Sequence, residues 1–255
     1  MELVNFNKNN INFSLPRDQY DSRDFIYNRT KVTSVNYIDF RNECSPIENQ
    51  GQLGSCTGQA IAGAIECINR RSRKNHDVSR LFIYYQERVL MNTINEDSGA
   101  TIRDGIKSVS KWGAPLETFW PYNIKRFAQA PNKQAYTDAL KRKVTEYRRI
   151  VTFSDVINAV SQKIPVIFGF AVYESFVSDK VAYTGVMPDP SASEEFLGGQ
   201  AVMLVGFDKS SKRFIVRNSW GANWGLKGYF YMPFSVVENS DLSWDFWTIT
   251  KIQNP

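Results

Sequence analysis

The hydrophobic period of this chain changes once, near residue 144, and that change limits the folds open to it. Before it, apolar residues recur at helical spacing. Ala60, Ile61, Ala64, Ile65 and Ile68 mark a buried helix from about Cys56 to Arg71, in which Ala62 and Gly63 let other elements approach closely. A second helix is expected over Leu81 to Met91. A third starts at Thr101, where Thr-Ile-Arg-Asp places an acid three residues after a capping hydroxyl. Ile102, Ile106, Val109 and Trp112 give it one apolar stripe, and Gly113 stops it. A weaker helix covers about Lys133 to Lys143. After the change, four short runs rich in β-branched and aromatic residues read as strands: Val166–Val172, Ala201–Phe207, Arg213–Arg217 and Gly228–Met232. One helix, Asp155 to Lys163 behind Ser154, interrupts them and ends before Pro165. Helices first and strands after predict an α+β fold of two lobes, helical over about 45–143 and strand-rich over about 144–255. Residues 1 to about 35 are polar and asparagine-rich apart from Phe25-Ile26-Tyr27, and read as an extended arm, not a domain.

Composition narrows the function classes. At 255 residues and 42% hydrophobic, the chain has the apolar mass for a real core, and 22% charged residues do not suggest disorder. The net charge of +5 is a mild excess. Its densest cluster, Arg70, Arg71, Arg73 and Lys74, reads as a solvated helix C-terminus where cations favour the dipole, and no nucleic-acid partner is expected. No run approaches the roughly eighteen apolar residues of a membrane span. The N-terminus lacks the basic-then-apolar order of a signal peptide, which points to an intracellular protein; a secreted or lysosome-like place stays open if a signal was trimmed. Three cysteines (Cys44, Cys56, Cys67) and one histidine (His76), with no CxxC, point to neither a disulfide framework nor a metal site, and no cofactor is expected.

Three segments carry candidate chemistry. In Asn49-Gln50-Gly51-Gln52-Leu53-Gly54-Ser55-Cys56 a glycine-rich turn delivers a cysteine to the start of a buried helix. The unpaired N–H groups there favour a thiolate, and the Cys56 backbone N–H with the Gln50 side-chain amide could hold a developing oxyanion. On this segment alone, a small buried core cysteine is an equal reading. The other segments are Leu197-Gly198-Gly199-Gln200-Ala201-Val202-Met203-Leu204-Val205-Gly206-Phe207 and Arg217-Asn218-Ser219-Trp220-Gly221-Ala222-Asn223-Trp224-Gly225.

Taken together, in this order, the three resemble the papain family of cysteine peptidases, whose patterns run NQGxxGSC, (G/D)HAV…VGY and NSWGxxWGxxGY. Asp39-Phe40-Arg41 is similar to the DWR that opens the mature enzyme, and Trp120-Pro121-Tyr122 echoes the family's YPY. The resemblance covers about residues 36 to 252. It implies a papain-like fold, a helical lobe and an antiparallel β-barrel-like lobe with a peptide or protein substrate in the cleft between them. It gives Cys56 as the nucleophile, Gln50 as the oxyanion-hole side chain, Asn218 as the residue that orients the base and Trp220 as the ring that shields that bond. Ser98-Gly99 falls where the family has the edge that binds substrate backbone.

One position departs. Gln200 stands where the family has its histidine, and His76, in a charged loop with no motif around it, reads as an exposed loop residue. Milder departures are Thr57 in place of a tryptophan and Leu53 in place of a disulfide-bonded cysteine. In the family reaction the imidazolium keeps the thiolate ionised and then gives a proton to the leaving amine. A glutamine amide cannot titrate near neutral pH, so the Cys56 pKa is expected to climb toward about 8.5, and catalysis should lose at least the upper end of the roughly 100- to 10,000-fold that acid–base help supplies. Three readings stay open: a peptidase disabled by this replacement; a natural pseudopeptidase that binds peptides or a partner in its cleft without cutting; and, compatible with either, a zymogen-like state in which the N-terminal arm is an intramolecular inhibitor. A merely packed tail is the alternative for the arm.

Overall fold

The computed structural model describes residues 11–28 and 35–253, and the parts of the expected arm at residues 1–10 and 29–34 lie outside the described residues. Helices α1 (Cys56–Arg71), α2 (Arg80–Met91) and α3 (Ile102–Lys111) form the first half, followed by the short α4 (Lys133–Ala139). The caps explain their starts. Ser79 Oγ accepts from the Phe82 N–H at 3.1 Å, and Thr101 Oγ1 accepts from the Asp104 N–H at 3.0 Å while donating to its carboxylate, the reciprocal box expected from sequence. Helix α4 stops at Ala139, where a 3-10 turn over Leu140–Arg142 replaces the longer helix expected.

The strands form a single antiparallel sheet, six of its seven from the second half of the chain. Strands β1 (Tyr37–Asp39), β2 (Val144–Ile150), β3 (Val166–Tyr173), β4 (Phe196–Asp208), β5 (Arg213–Arg217), β6 (Tyr229–Pro233) and β7 (Ser243–Ile252) run in the order β2-β7-β3-β4-β5-β6, with β1 on β4. All four expected strands are present, β4 five residues longer at its start. Helix α5 spans Phe153–Ser161, two residues ahead of expectation: Thr152, not Ser154, accepts from the Asp155 N–H and makes the box with Asp155. Short helices α6 (Asp179–Thr184) and α7 (Phe234–Glu238) complete the chain. The main core joins α1 and α3 to the sheet, and a smaller cluster lies around Leu81, Tyr84, Trp120 and Ala139.

Two features position the glycine-rich turn against the segment it faces. Buried Arg217 donates to the Ser45 and Pro46 carbonyls at 2.6 Å each, which fixes the approach to the turn. Residues 48–50 then run antiparallel to 219–221, with Gln50 N donating to Ser219 O at 2.8 Å and Gly221 N to Glu48 O at 2.9 Å. Two segments about 170 residues apart in sequence therefore share one ladder.

Candidate active site

Cys56 is the first residue of α1, and its N-cap, Ser55, makes no side-chain cap. The N–H groups of the first turn therefore keep their positive end for whatever lies there. The turn before it folds locally: Asn49 Oδ1 accepts from the Gly51 N–H at 2.9 Å, Gly51 takes a φ of +61°, and Ser55 N reaches Leu53 O at 2.7 Å. Asp97 secures the turn from the helical side by accepting from Gly54 N at 3.0 Å.

Across from α1, β4 carries Gln200, fully buried, and the Ala201 backbone N–H faces the Cys56 sulfur. Gln200 Nε2 donates to Gln50 Oε1 at 3.0 Å and lies 3.4 Å from Asn218 Oδ1. Ser219 Oγ donates to the same Gln50 oxygen at 2.6 Å, Asn218 Oδ1 accepts the Ser219 N–H at 2.9 Å, and Gln50 Nε2 donates to Leu53 O at 3.1 Å. Gln50, Gln200 and Asn218 thus meet in one amide cluster, one residue along β4 from the Ala201 N–H that faces the thiol. Two polar atoms in it, Gln200 Oε1 and Asn218 Nδ2, are buried without a partner among the described residues. Trp220 packs on Phe176 and Trp224, with centroids at 5.4 and 4.9 Å.

Burial pushes the Cys56 thiol up to about 12 and buried Glu87 adds to the rise, while the N–H groups of Ala201, Thr57 and Cys56 pull the other way. Sequence reasoning expected a rise toward the ordinary thiol value. The larger rise follows from how little of Cys56 meets water: 2% of its surface is exposed.

Residues 12–15 of the arm run past the same segments. Phe13 O accepts from Gly199 N at 3.0 Å, Ser14 pairs in parallel with Gly199, and the Phe13 ring meets Trp220 edge-on at 6.0 Å. On the opposite wall Asn12 Nδ2 donates to Asp97 at 2.9 Å, and Ser14 O presses on Gly99 (φ +69°) so closely that a Cβ there would collide with it. Leu15 is buried against Gly169 and Gly199. Of the expected pair Ser98-Gly99, Gly99 meets the arm, and the Ser98 hydroxyl donates to Thr93 Oγ1 at 2.9 Å. His76 is exposed, five residues beyond the far end of α1. That helix is about 24 Å long, so His76 is far from the thiol.

Sequence reasoning missed Ser219, Asp97 and Tyr122. The Tyr122 hydroxyl donates to Gln50 O at 2.8 Å and lies 2.7 Å from Ser55 Oγ, so it braces both ends of the turn. Its place in Trp-Pro-Tyr was the one signal for it. No His/Cys/Asp/Glu group that could hold a metal occurs among the described residues, and none of the described helices is long and apolar enough to cross a membrane.

Residues 34–243 match the model of the papain family cysteine proteases. An uncharacterized peptidase C1-like protein of Acanthamoeba polyphaga mimivirus is 44% identical over 218 residues, 81% of this chain and 70% of that protein. Cysteine proteinase 3 of Dictyostelium discoideum is 26% identical, covering 95% of this chain and 68% of that protein. The crystal structure of xylellain, a cysteine protease from Xylella fastidiosa, superposes with a TM-score of 0.87 at 35% identity, over 94% of this chain and 96% of that one. A family match across most of the sheet and helices, with the thiol, the glycine-rich turn and the Asn218 segment inside it, leaves one conclusion: the chain belongs to the papain family of cysteine peptidases.

Proposed function

We propose that this chain is a thiol peptidase in architecture whose peptide-cleaving step is disabled by Gln200, and whose cleft is held shut by its own N-terminal arm. The observation that carries the first part is the placement of the Gln200 amide between Gln50 and Asn218, next in sequence to the Ala201 N–H that faces Cys56. In this reading Cys56 is the nucleophile, Gln50 with the Cys56 N–H forms the oxyanion hole, Asn218 and Trp220 frame the base position, and Gln200 occupies it. An amide accepts and donates hydrogen bonds but takes up no proton near neutral pH, so it neither ionises the thiol nor protonates a leaving amine. The combined loss is at least about 10,000-fold. The second part rests on Phe13, Ser14 and Leu15 lying between Gly99 on one wall and Gly199 and Trp220 on the other.

The test compares the full chain with Gln200→His, each with and without Leu15→Ala to loosen the arm, for peptide hydrolysis at pH 7. Hydrolysis by the chain as it stands should not exceed that of Cys56→Ala, and the double variant should show thiol-dependent turnover. Rapid turnover by the unaltered chain, blocked by iodoacetamide, overturns the proposal.

A second reading has its own support. Ser219 Oγ and Gln200 Nε2 share the Gln50 oxygen, so the cluster is fitted to an amide, as a pseudopeptidase that binds peptides without cutting would have it. A folded Gln200→His/Leu15→Ala chain that binds peptide in the cleft but leaves it intact selects this reading.

A further inference from the structure

Beyond the cleft, the arm crosses a cluster of buried charges. The Asp18 side chain is fully buried, and every contact to its carboxylate is a donor: the Arg103 N–H at 3.0 Å, the Trp247 indole N–H at 2.8 Å and the Arg149 guanidinium at 3.4 Å. The Asp18 N–H in turn donates to Asp245 Oδ2 at 2.6 Å, and Asp245 Oδ1 accepts from Arg149 at 2.7 Å. Asp24, also on the arm, pairs with Arg103 and lies 3.3 Å from Arg149. Asp245 takes a φ of +55°, a bend in β7 that asparagine and aspartate tolerate better than other side chains and that turns its carboxylate toward the arm. Three carboxylates therefore share two guanidiniums. Two further cations stand at the rim: Arg17, over the Trp244 ring at 4.3 Å and donating to the Asp241 carbonyl at 2.9 Å, and Lys107, 3.8 Å from Asp21.

We propose that Asp18 and Asp245 form a proton-sensitive latch, which holds the arm in the cleft in mild acid and loosens it as the solution turns neutral. The regulatory consequence rests on the reading of the arm as the occupant of the cleft. Docking buries one carboxylate more than the two guanidiniums can neutralise, so a proton taken up with the arm relieves the excess. Burial first, then the Asp245 charge, pushes Asp18 from 3.8 up to about 6 against the pull of the Arg103 N–H, Trp247 and the Arg103 charge, and burial raises Asp245 as well. Asp18 on a released arm returns to its ordinary value. A group whose docked value is the higher one stabilises docking fully below the free value and loses that help as pH rises through the docked value. Between pH 5 and pH 7.5 the docked arm should therefore become about tenfold easier to open.

The experiment is amide hydrogen exchange on the full chain at pH 5 and 7.5, corrected for the intrinsic pH dependence of exchange, read over peptides from residues 11–28. Cys56 alkylation is followed alongside, as the ratio of the unaltered chain to Asp18→Asn so that the thiol's own titration cancels. Arm protection should fall about tenfold from pH 5 to 7.5 in the unaltered chain. In Asp245→Asn, which keeps the bend but removes the paired charge, the midpoint should move to lower pH. Protection that does not change with pH, or a midpoint that Asp245→Asn leaves in place, overturns the latch. Protection that changes while the alkylation ratio stays flat upholds the latch and overturns the reading of the arm as the plug of the cleft.

Discussion

Ser14 runs parallel to Gly199, so the arm's backbone is laid along the residue that directly precedes Gln200. The Ser14 carbonyl also meets Gly99 on the opposite wall. Gly99 on one wall and Gly199 on the other thus both meet the backbone of the arm.

Leu15 supplies the apolar part of that hold. Its side chain is buried against Gly169 and Gly199, with Trp244 lining the same side. Truncation of a buried leucine costs about 2–5 kcal/mol, and at the lower end the open fraction rises roughly 30-fold. Leu15→Ala should therefore accelerate Cys56 alkylation by about that factor with no change in global unfolding midpoint beyond a few degrees; an unchanged alkylation rate would mean the arm does not gate the thiol.

Gly99→Ala tests the opposite wall. An alanine Cβ would sit inside any allowed distance of Ser14 O, and the φ of +69° adds about 1 kcal/mol of strain in either state. The collision exists only while the arm is docked. Arm peptides and the Gly199 amide that donates to Phe13 O should lose protection from hydrogen exchange in this variant, while the α1 peptides and those of β4 from Ala201 onward keep theirs.

The thiol itself should titrate late. With burial holding Cys56 up to about 12, the reactive thiolate is a small fraction at neutral pH and grows with each step toward alkali. Iodoacetamide labelling of Cys56 should keep rising through pH 9 without a plateau. Gln200→His should shift the onset of labelling downward, because an imidazolium beside the sulfur favours its charged form; identical profiles would show that position 200 does not reach the thiol.

Two buried acids give stability a pH slope of their own. Burial raises Glu87 from 4.5 to about 8 and Glu66 to about 7. Folded values above the unfolded ones mean that their contribution is complete below about 4.5 and is lost as pH climbs through 7 to 8. The melting temperature should fall between pH 6 and pH 9. In Glu87→Gln, where Thr57 can still donate to the side-chain oxygen, the fall should shrink by several degrees, at about 2–4 °C per kcal/mol for a chain of this size. Superimposable curves would count against Glu87 as the source.

What could be read in the sequence was what is local. The turn around Gly51, the cap at Thr101 and the strand Arg213–Arg217 depend on residues a few positions apart, and they form as expected. Gln50, Cys56, Gln200 and Asn218 were visible through motif order, and the ladder between 48–50 and 219–221 is what brings the first and last of them together. The strands β2 and β7 were not visible. Strand β2 carries Glu146, Arg148 and Arg149 along a sheet edge and reads as polar, while Asp245 interrupts the apolar pattern of β7. The path of the arm was equally hidden in its residues, because Asn12-Phe13-Ser14-Leu15 finds its partners 85 to about 200 positions away and needs no special composition to do so.

The arm meets the sheet a second time, at its far end: Tyr27 N donates to Arg149 O at 2.8 Å and Arg149 N to Phe25 O at 2.7 Å, so Ile26 makes a single parallel bridge on the edge of β2. On the proposal that the arm plugs the cleft, this second anchor makes residues 13–15 a tethered ligand. When Phe13 and Leu15 let go, residue 26 keeps them nearby at an effective concentration of the order of millimolar, whatever the concentration of the protein. Dilution cannot open such a site, and a free peptide competes only by outbinding a neighbour that never diffuses away.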